Sequence, residues 1–293
     1  MKPLAMAPRP VAGDPRPGLS GLDDAALVAW LDHRGELAYR ARQLQAALWR
    51  GTVASAAGVT TLSRDLGAAV AADFRWSTVE DDRVVEADGG QTEKTLHRLA
   101  DGLTIESVLM HYPARPGQRA RHTLCISSQA GCAVGCPFCA TGELGFERDL
   151  STAEILDQVR SAVARLAKRE DGAHVTNVVF MGMGEPLLNL DRVLEAVAAL
   201  NDPNRLGLGA RHITVSTSGV VPGISRFPPQ AWCPGSVASP RSGRSSRWPS
   251  PCTRRVMPCV TSSSRSTVAG RSPRSWPPPA ITRRPPVAGS ATR

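Results

Sequence analysis

At Phe227 the composition changes so sharply that only the residues before it can be asked to build a core. Residues 227–293 contain 11 Arg and no Lys, Asp or Glu, and 26 of these 67 residues are Pro or Ser. Neither the 3.6-residue period of a packed helix nor the two-residue period of a strand runs through them. A segment without periodic apolar positions has little to set against the entropy of ordering it. The formal net charge of +9 belongs to this tail, because the remainder carries 24 basic against 26 acidic residues, a net of −2. Basicity therefore says little about what the body of the chain binds.

The first 19 residues read as a disordered leader. They carry a single Lys and no apolar core before a cleavage site, unlike a secretory signal. No run of about 18 apolar residues occurs, so no membrane span is expected. Seven cysteines without an export signal point to thiols, metal ligation or redox chemistry in a cytoplasmic protein, not to a disulfide framework.

Residues 20–80 predict a small helical domain. In YRARQLQAALWRG (39–51), Leu44 and Leu48 recur at helical spacing and Gly51 ends the run. TLSRDLGAAVAADF (61–74) predicts a second short helix. Residues 81–121 predict a β-hairpin extension, with EKTLHRL and LTIESVLMHY joined by a turn at Asp101-Gly102.

From 122 to 226 strands and helices alternate. HTLCISS (122–128) is a strand. A helix begins at Ser151, which stands at capping-box spacing from Glu154, and Ile155, Leu156, Val159, Val163 and Leu166 line one face. NVVFMGM (177–183) is a continuous apolar run, as expected of a parallel strand buried on both faces. A helix at 190–200 and the strand HITVSTS (212–218) follow. The alternation defines an α/β architecture, which a doubly wound sheet and a barrel both satisfy.

The chemistry-bearing motif is Cys132-Ala-Val-Gly-Cys136-Pro-Phe-Cys139, a C-x3-C-x2-C triplet in the loop after a strand. Structural zinc sites take four ligands, commonly as two paired knuckles, and iron–sulfur clusters normally take four cysteines. Three thiolates on a cubane would leave one iron open to a substrate or cofactor. A zinc loop or three incidental core thiols is the alternative.

C-x3-C-x2-C resembles the signature of the radical S-adenosylmethionine (SAM) superfamily. The resemblance narrows to the RlmN/Cfr family of RNA methyltransferases. It rests on TLCISSQAGCAVGCPFCATGELGFERDLSTAEI (123–155), NVVFMGMGEPLLNLDRV (177–193), HITVSTSGVVPGI (212–224) and the helical segment at 39–51. It implies a partial (βα)6 barrel behind a small N-terminal helical RNA-binding domain. It also implies a [4Fe–4S] cluster on Cys132, Cys136 and Cys139, with the open iron chelating SAM and one electron cleaving it to a 5′-deoxyadenosyl radical. Gly184 and Glu185 of the GEP element would contact the SAM amino group, and Ser216 would contact the cofactor from the third strand.

Glu106 matches the family's proton-accepting Glu and Cys125 its resolving cysteine, in a cycle that passes through a methylated C-terminal cysteine and a disulfide bond. Without the resemblance, Glu106 reads as an outward strand carboxylate and Cys125 equally well as a buried structural thiol. The implied substrates are adenine C2 of 23S rRNA and tRNA, with adenine C8, as in Cfr, the alternative. The bases would be presented unstacked, and an electron donor such as flavodoxin would serve a monomeric enzyme. A rival of another class is a non-catalytic iron–sulfur or RNA-binding remnant.

No stretch resembles the family's acceptor-cysteine segment, and Cys233, Cys252 and Cys259 have unmatched surroundings. We expect the tail to be the right gene read in the wrong frame, the shift lying between about Phe227 and Arg247. Shifted one base, Val260–Gly270 after Cys259 can encode RDELVPVNRRW, and Cys252–Arg255 can encode LHAP. Both resemble the family's next segments, in the correct order. The expectation is then half a barrel without a later SAM-contacting Asn or the acceptor Cys. The third strand would be an open edge, and methyl transfer would be slight or absent. A natural disordered basic tail is the alternative.

Overall fold

The computed structural model describes residues 13–169 and 172–226 and, by backbone alone, residues 256–258. The leader up to residue 12 and the rest of the tail, including Cys233, Cys252 and Cys259, lie outside the described residues.

Three helices come first: α1 (Asp24–Asp32), α2 (Tyr39–Trp49) and α3 (Arg64–Asp73). α1 and α3 start where a short polar side chain takes an orphan amide. Asp23 accepts from Ala26 N at 2.6 Å and Ser63 Oγ accepts from Leu66 N at 3.1 Å. Next come β1 (Val79–Ala87), β2 (Thr92–Leu99), β3 (Thr104–Tyr112) and β4 (Arg121–Cys125), each antiparallel to the one before. A two-stranded ribbon, β5 (Gln129–Gly131) and β6 (Phe146–Asp149), brackets the short helix α4 (Ala140–Leu144). The alternating part continues with α5 (Thr152–Leu166), β7 (Asn177–Phe180), α6 (Leu190–Asn201), β8 (Ile213–Thr217) and α7 (Val221–Arg226). The capping box of α5 is complete: Ser151 Oγ accepts from Glu154 N, and Glu154 Oε2 accepts from Ser151 N.

The main sheet runs β1-β2-β3-β4-β7-β8-β9, where β9 is Val256–Pro258. β4, β7, β8 and β9 are parallel, as in the leading half of a barrel. The hairpin at 92–112 is continuous with them, because β3 pairs with β4 at Val108 and Cys125. Two expectations are corrected here. β8 is not an open edge: Val215, Ser216 and Thr217 pair with Val256, Met257 and Pro258. A three-residue strand is too short to show periodicity, so the sequence could not announce it. And β7 is not buried on both faces. Val178 and Phe180 are buried while Asn177 and Val179 are only half-buried, because among the described residues the helices cover only the first face.

The helices cover the first face. Ile105, Leu109, Leu124, Val178, Phe180, Ile213 and Val215 from the sheet meet Ile155, Leu156 and Val159 of α5 and Val193 and Val197 of α6 in one core. Each such side chain contributes about 1.5–3 kcal/mol when fully buried. The N-terminal helices are stapled to this layer by charge. Asp157 of α5 accepts from the backbone and hydroxyl of Thr78, both at 2.7 Å, and pairs with Arg160. Arg160 in turn donates to the carbonyls of Leu48 and Trp76 at 3.1 and 2.7 Å. Among the described residues no helix is long and apolar enough to cross a membrane.

Candidate functional site

The thiol loop springs from the β5–β6 ribbon, where Gln129 pairs with Asp149 and Gly131 with Phe146. Gly131 has φ +76°, and a Cβ there would lie 2.0 Å from the Gly145 carbonyl oxygen, so only glycine fits the closure. Cys132 N donates to that carbonyl at 2.7 Å, and Cys139 N donates to Cys136 O at 3.0 Å, a turn that joins the second and third cysteines. Cys132, Cys136 and Cys139 are partly exposed. Val134, Phe138, Leu144 and Phe146 surround them in sequence and are exposed, giving the loop an apolar rim.

Among the described residues no three His, Cys, Asp or Glu side chains are placed to hold a single metal ion. A cubane does not ask for that, since each thiolate takes a different iron. Three partly exposed thiols on one loop with an apolar rim therefore fit a cluster with one corner left over.

The other candidates fall on the open face of the main sheet, opposite the helices. Direct cross-strand pairing sets Lys94, Val108, Cys125, Val179 and Thr214 in one row. Glu106 and Ser216 lie two residues along their own strands from members of that row, hence on the same side. Glu106 Oε1 is paired with Lys94 Nζ at 2.9 Å. Cys125 is half-buried, and burial pushes its thiol up to about 11 against a bond from the Met181 backbone that favours the thiolate. Cys125 is thus held as a thiol near neutral pH.

Glu185 is buried. Its carboxylate accepts from Leu187 N at 3.0 Å, Ser218 N at 2.7 Å and Ser218 Oγ at 2.8 Å. Gly184 has φ +97°, and a Cβ on it would lie 2.5 Å from Gln129 Cβ. Sequence reasoning missed Lys94, Ser127, Gln129 and Ser218. The signal available was the polar run Ser127-Ser128-Gln129 directly after a strand, all buried here. The expected disulfide is corrected as well. Cys125, Cys132, Cys136 and Cys139 form no disulfide. Cys125 ends β4, and the C-terminal cysteine with which the resemblance pairs it has no counterpart among the described residues.

Parallel βα units carrying a three-thiol loop after the first parallel strand define a radical SAM domain. Residues 126–228 match the Radical SAM superfamily model. The chain is similar in sequence to RlmN-type proteins. It is 46% identical over 208 residues to "Probable dual-specificity RNA methyltransferase RlmN" of Mycolicibacterium vanbaalenii, covering 70% of this chain and 55% of the relative. The like-named protein of Mycobacterium marinum is 44% identical over 224 residues, 76% and 60% of the two chains. A crystal structure of a radical SAM methyltransferase from Sphaerobacter thermophilus matches with a TM-score of 0.66 and 43% identity, over 72% of this chain and 59% of that one. The chain thus spans about 55–60% of the length of these proteins.

Proposed function

We propose that this chain carries the cluster-binding and SAM-binding half of an RlmN-type methyltransferase acting on adenine C2 of 23S rRNA and tRNA. The observation that carries the proposal is the alignment of Glu106, Cys125 and Ser216 on the one sheet face that the described helices leave open. Cys132, Cys136 and Cys139 would hold a [4Fe–4S] cluster. With SAM on its open iron, that group supplies one-electron cleavage of the cofactor.

The chain's own residues do the rest. Gly184, Glu185 and Ser216 would bind and orient SAM, Ser216 from the end of β8 and the GEP turn from the end of β7. Lys94 engages Oε1 of Glu106, and Oε2 is the atom proposed to accept the proton leaving the adenine ring. Cys125 Sγ keeps its proton until a base removes it, so attack by this thiol waits for an acceptor to arrive. The methyl-accepting cysteine has no counterpart among the described residues or in the character of 227–293. We therefore propose that the chain as written cleaves SAM but does not complete methyl transfer. The out-of-frame origin of 227–293 is part of this proposal. An electron donor of the flavodoxin kind, a monomeric state and a cytoplasmic location complete the picture.

The test is anaerobic reconstitution with iron and sulfide, reduction with dithionite, and detection of 5′-deoxyadenosine from SAM, with adenine-C2 methylation of rRNA followed in parallel. Deoxyadenosine without methylated RNA is expected. An iron-loaded chain that leaves SAM intact contradicts the proposed cofactor chemistry, and methylated RNA contradicts the proposed inactivity.

A further inference from the structure

Between the β5–β6 ribbon, which carries the thiol loop, and the GEP turn lies one side chain bonded to both. Gln129 stands three residues before Cys132, at the start of β5, and is buried. Its Oε1 accepts from the backbone N–H of Glu185 at 2.8 Å, and its Nε2 donates to Asp149 Oδ1 at 2.7 Å, across the ribbon that carries the loop. Its Cβ and Cγ fill the space a side chain at Gly184 would need. Its own N–H, with that of Ser128, donates to the Met183 carbonyl at 3.2 and 2.8 Å.

The network continues outward from these two points. Glu185 carries on to Ser218, just past the end of β8. Ser127 Oγ donates to the Glu106 carbonyl at 2.6 Å and accepts from Met183 N at 2.9 Å. A buried amide with both ends satisfied fixes the relative position of the two loops that it bridges.

We propose that Gln129 is a positioning residue that registers the thiol loop against the Gly184–Glu185 turn. A SAM molecule gripped by both would then meet them at a fixed separation. This rests on the cofactor assignment above and adds a residue that touches neither SAM nor iron. Losing Gln129 loosens the register without removing any ligand. SAM affinity then falls while iron loading stays.

The experiment uses the full chain, reconstituted anaerobically, as wild type, Gln129→Met, Asp149→Ala and the swap Gln129→Glu with Asp149→Asn. The swap keeps an acceptor for Glu185 N–H and reverses the direction of the bond across the ribbon. Iron content is measured by metal analysis, and SAM binding by titrating the change in the electron paramagnetic resonance spectrum of the reduced cluster. Gln129→Met is expected to keep wild-type iron and to bind SAM about tenfold more weakly. Asp149→Ala, at an exposed residue, is expected to weaken binding about threefold, and the swap to return within about threefold of wild type.

Wild-type SAM affinity in both Gln129→Met and Asp149→Ala overturns the proposal. So does iron loss in step with SAM affinity, which marks Gln129 as a general stabiliser. Should Gln129→Met fail to fold, Asp149→Ala and the swap decide by the same criteria. A wild-type chain that takes up iron but shows no spectral response to SAM overturns the cofactor assignment itself, and this proposal with it.

Discussion

The two faces of the main sheet share a backbone and differ in everything else. Toward the helices stand Ile105, Leu109, Leu124, Val178, Phe180 and Val215, all essentially inaccessible. Toward the open side stand Lys94, Glu106, Cys125, Asn177 and Ser216, half-buried or exposed. A strand turns alternate side chains to opposite faces, so each segment carries stability on one set of positions and chemistry on the other. Changes on the covered face should therefore alter folding first, and changes on the open face should alter function first.

The largest expected contrast is between neighbours on one strand. Phe180→Ala removes a fully buried ring and should cost about 3–5 kcal/mol in urea unfolding. Val179→Ala should cost about 1 kcal/mol or less. Equal costs would mean that the open face is covered and would break the comparison.

Next comes the buried charge of the covered side. Asp157→Ala leaves Arg160 without its carboxylate, a loss of about 3 kcal/mol. It should also raise hydrogen exchange in α2, because Arg160 holds the carbonyl of Leu48. Unchanged exchange there would show that the helical domain is held by its apolar contacts alone.

The third effect depends on pH. Asp81 is partly buried, which disfavours its charge. Hydrogen bonds from His97 and Ser161 and the nearby Arg165 outweigh that and hold its carboxyl down from 3.8 to about 2. A depressed folded-state value contributes stability that is complete above about pH 4 and is lost as the pH falls through about 2. Because Asp81 is only partly buried, solvent screening holds this contribution to roughly 1 kcal/mol. Asp81→Asn should flatten the acid-unfolding profile in that window and leave its slope near neutrality unchanged.

The smallest effect belongs to the open face. Lys94→Ala removes an exposed ion pair with Glu106 and should change stability by under about 1 kcal/mol. A cost of several kcal/mol would make that pair structural and would undo Glu106 as a group kept available for chemistry.

Much of this was legible in the residues. Ser151 and Glu154 announced the start of α5, and the apolar positions from Ile155 to Leu166 its buried face. The thiol triplet announced its loop. NVVFMGM misled because a run of uniformly apolar residues conceals which face is covered. Only the neighbouring strands decide that Val179 looks outward and Phe180 inward. The place of Gln129 and the burial of Glu185 were not legible for another reason. A polar residue in a loop reads as solvated, and its burial depends on partners 56 positions away, a distance that no local pattern encodes.

The claim on which the rest stands is that Cys132, Cys136 and Cys139 hold an iron–sulfur cubane by three corners. Iron, sulfide and zinc per chain, measured on anaerobically prepared protein beside single Cys→Ala variants of the triplet, test it directly. The prediction is about four irons with matching sulfide, lost on substituting any of the three cysteines and retained in Cys125→Ala. Zinc in place of iron, or iron indifferent to those substitutions, would contradict it.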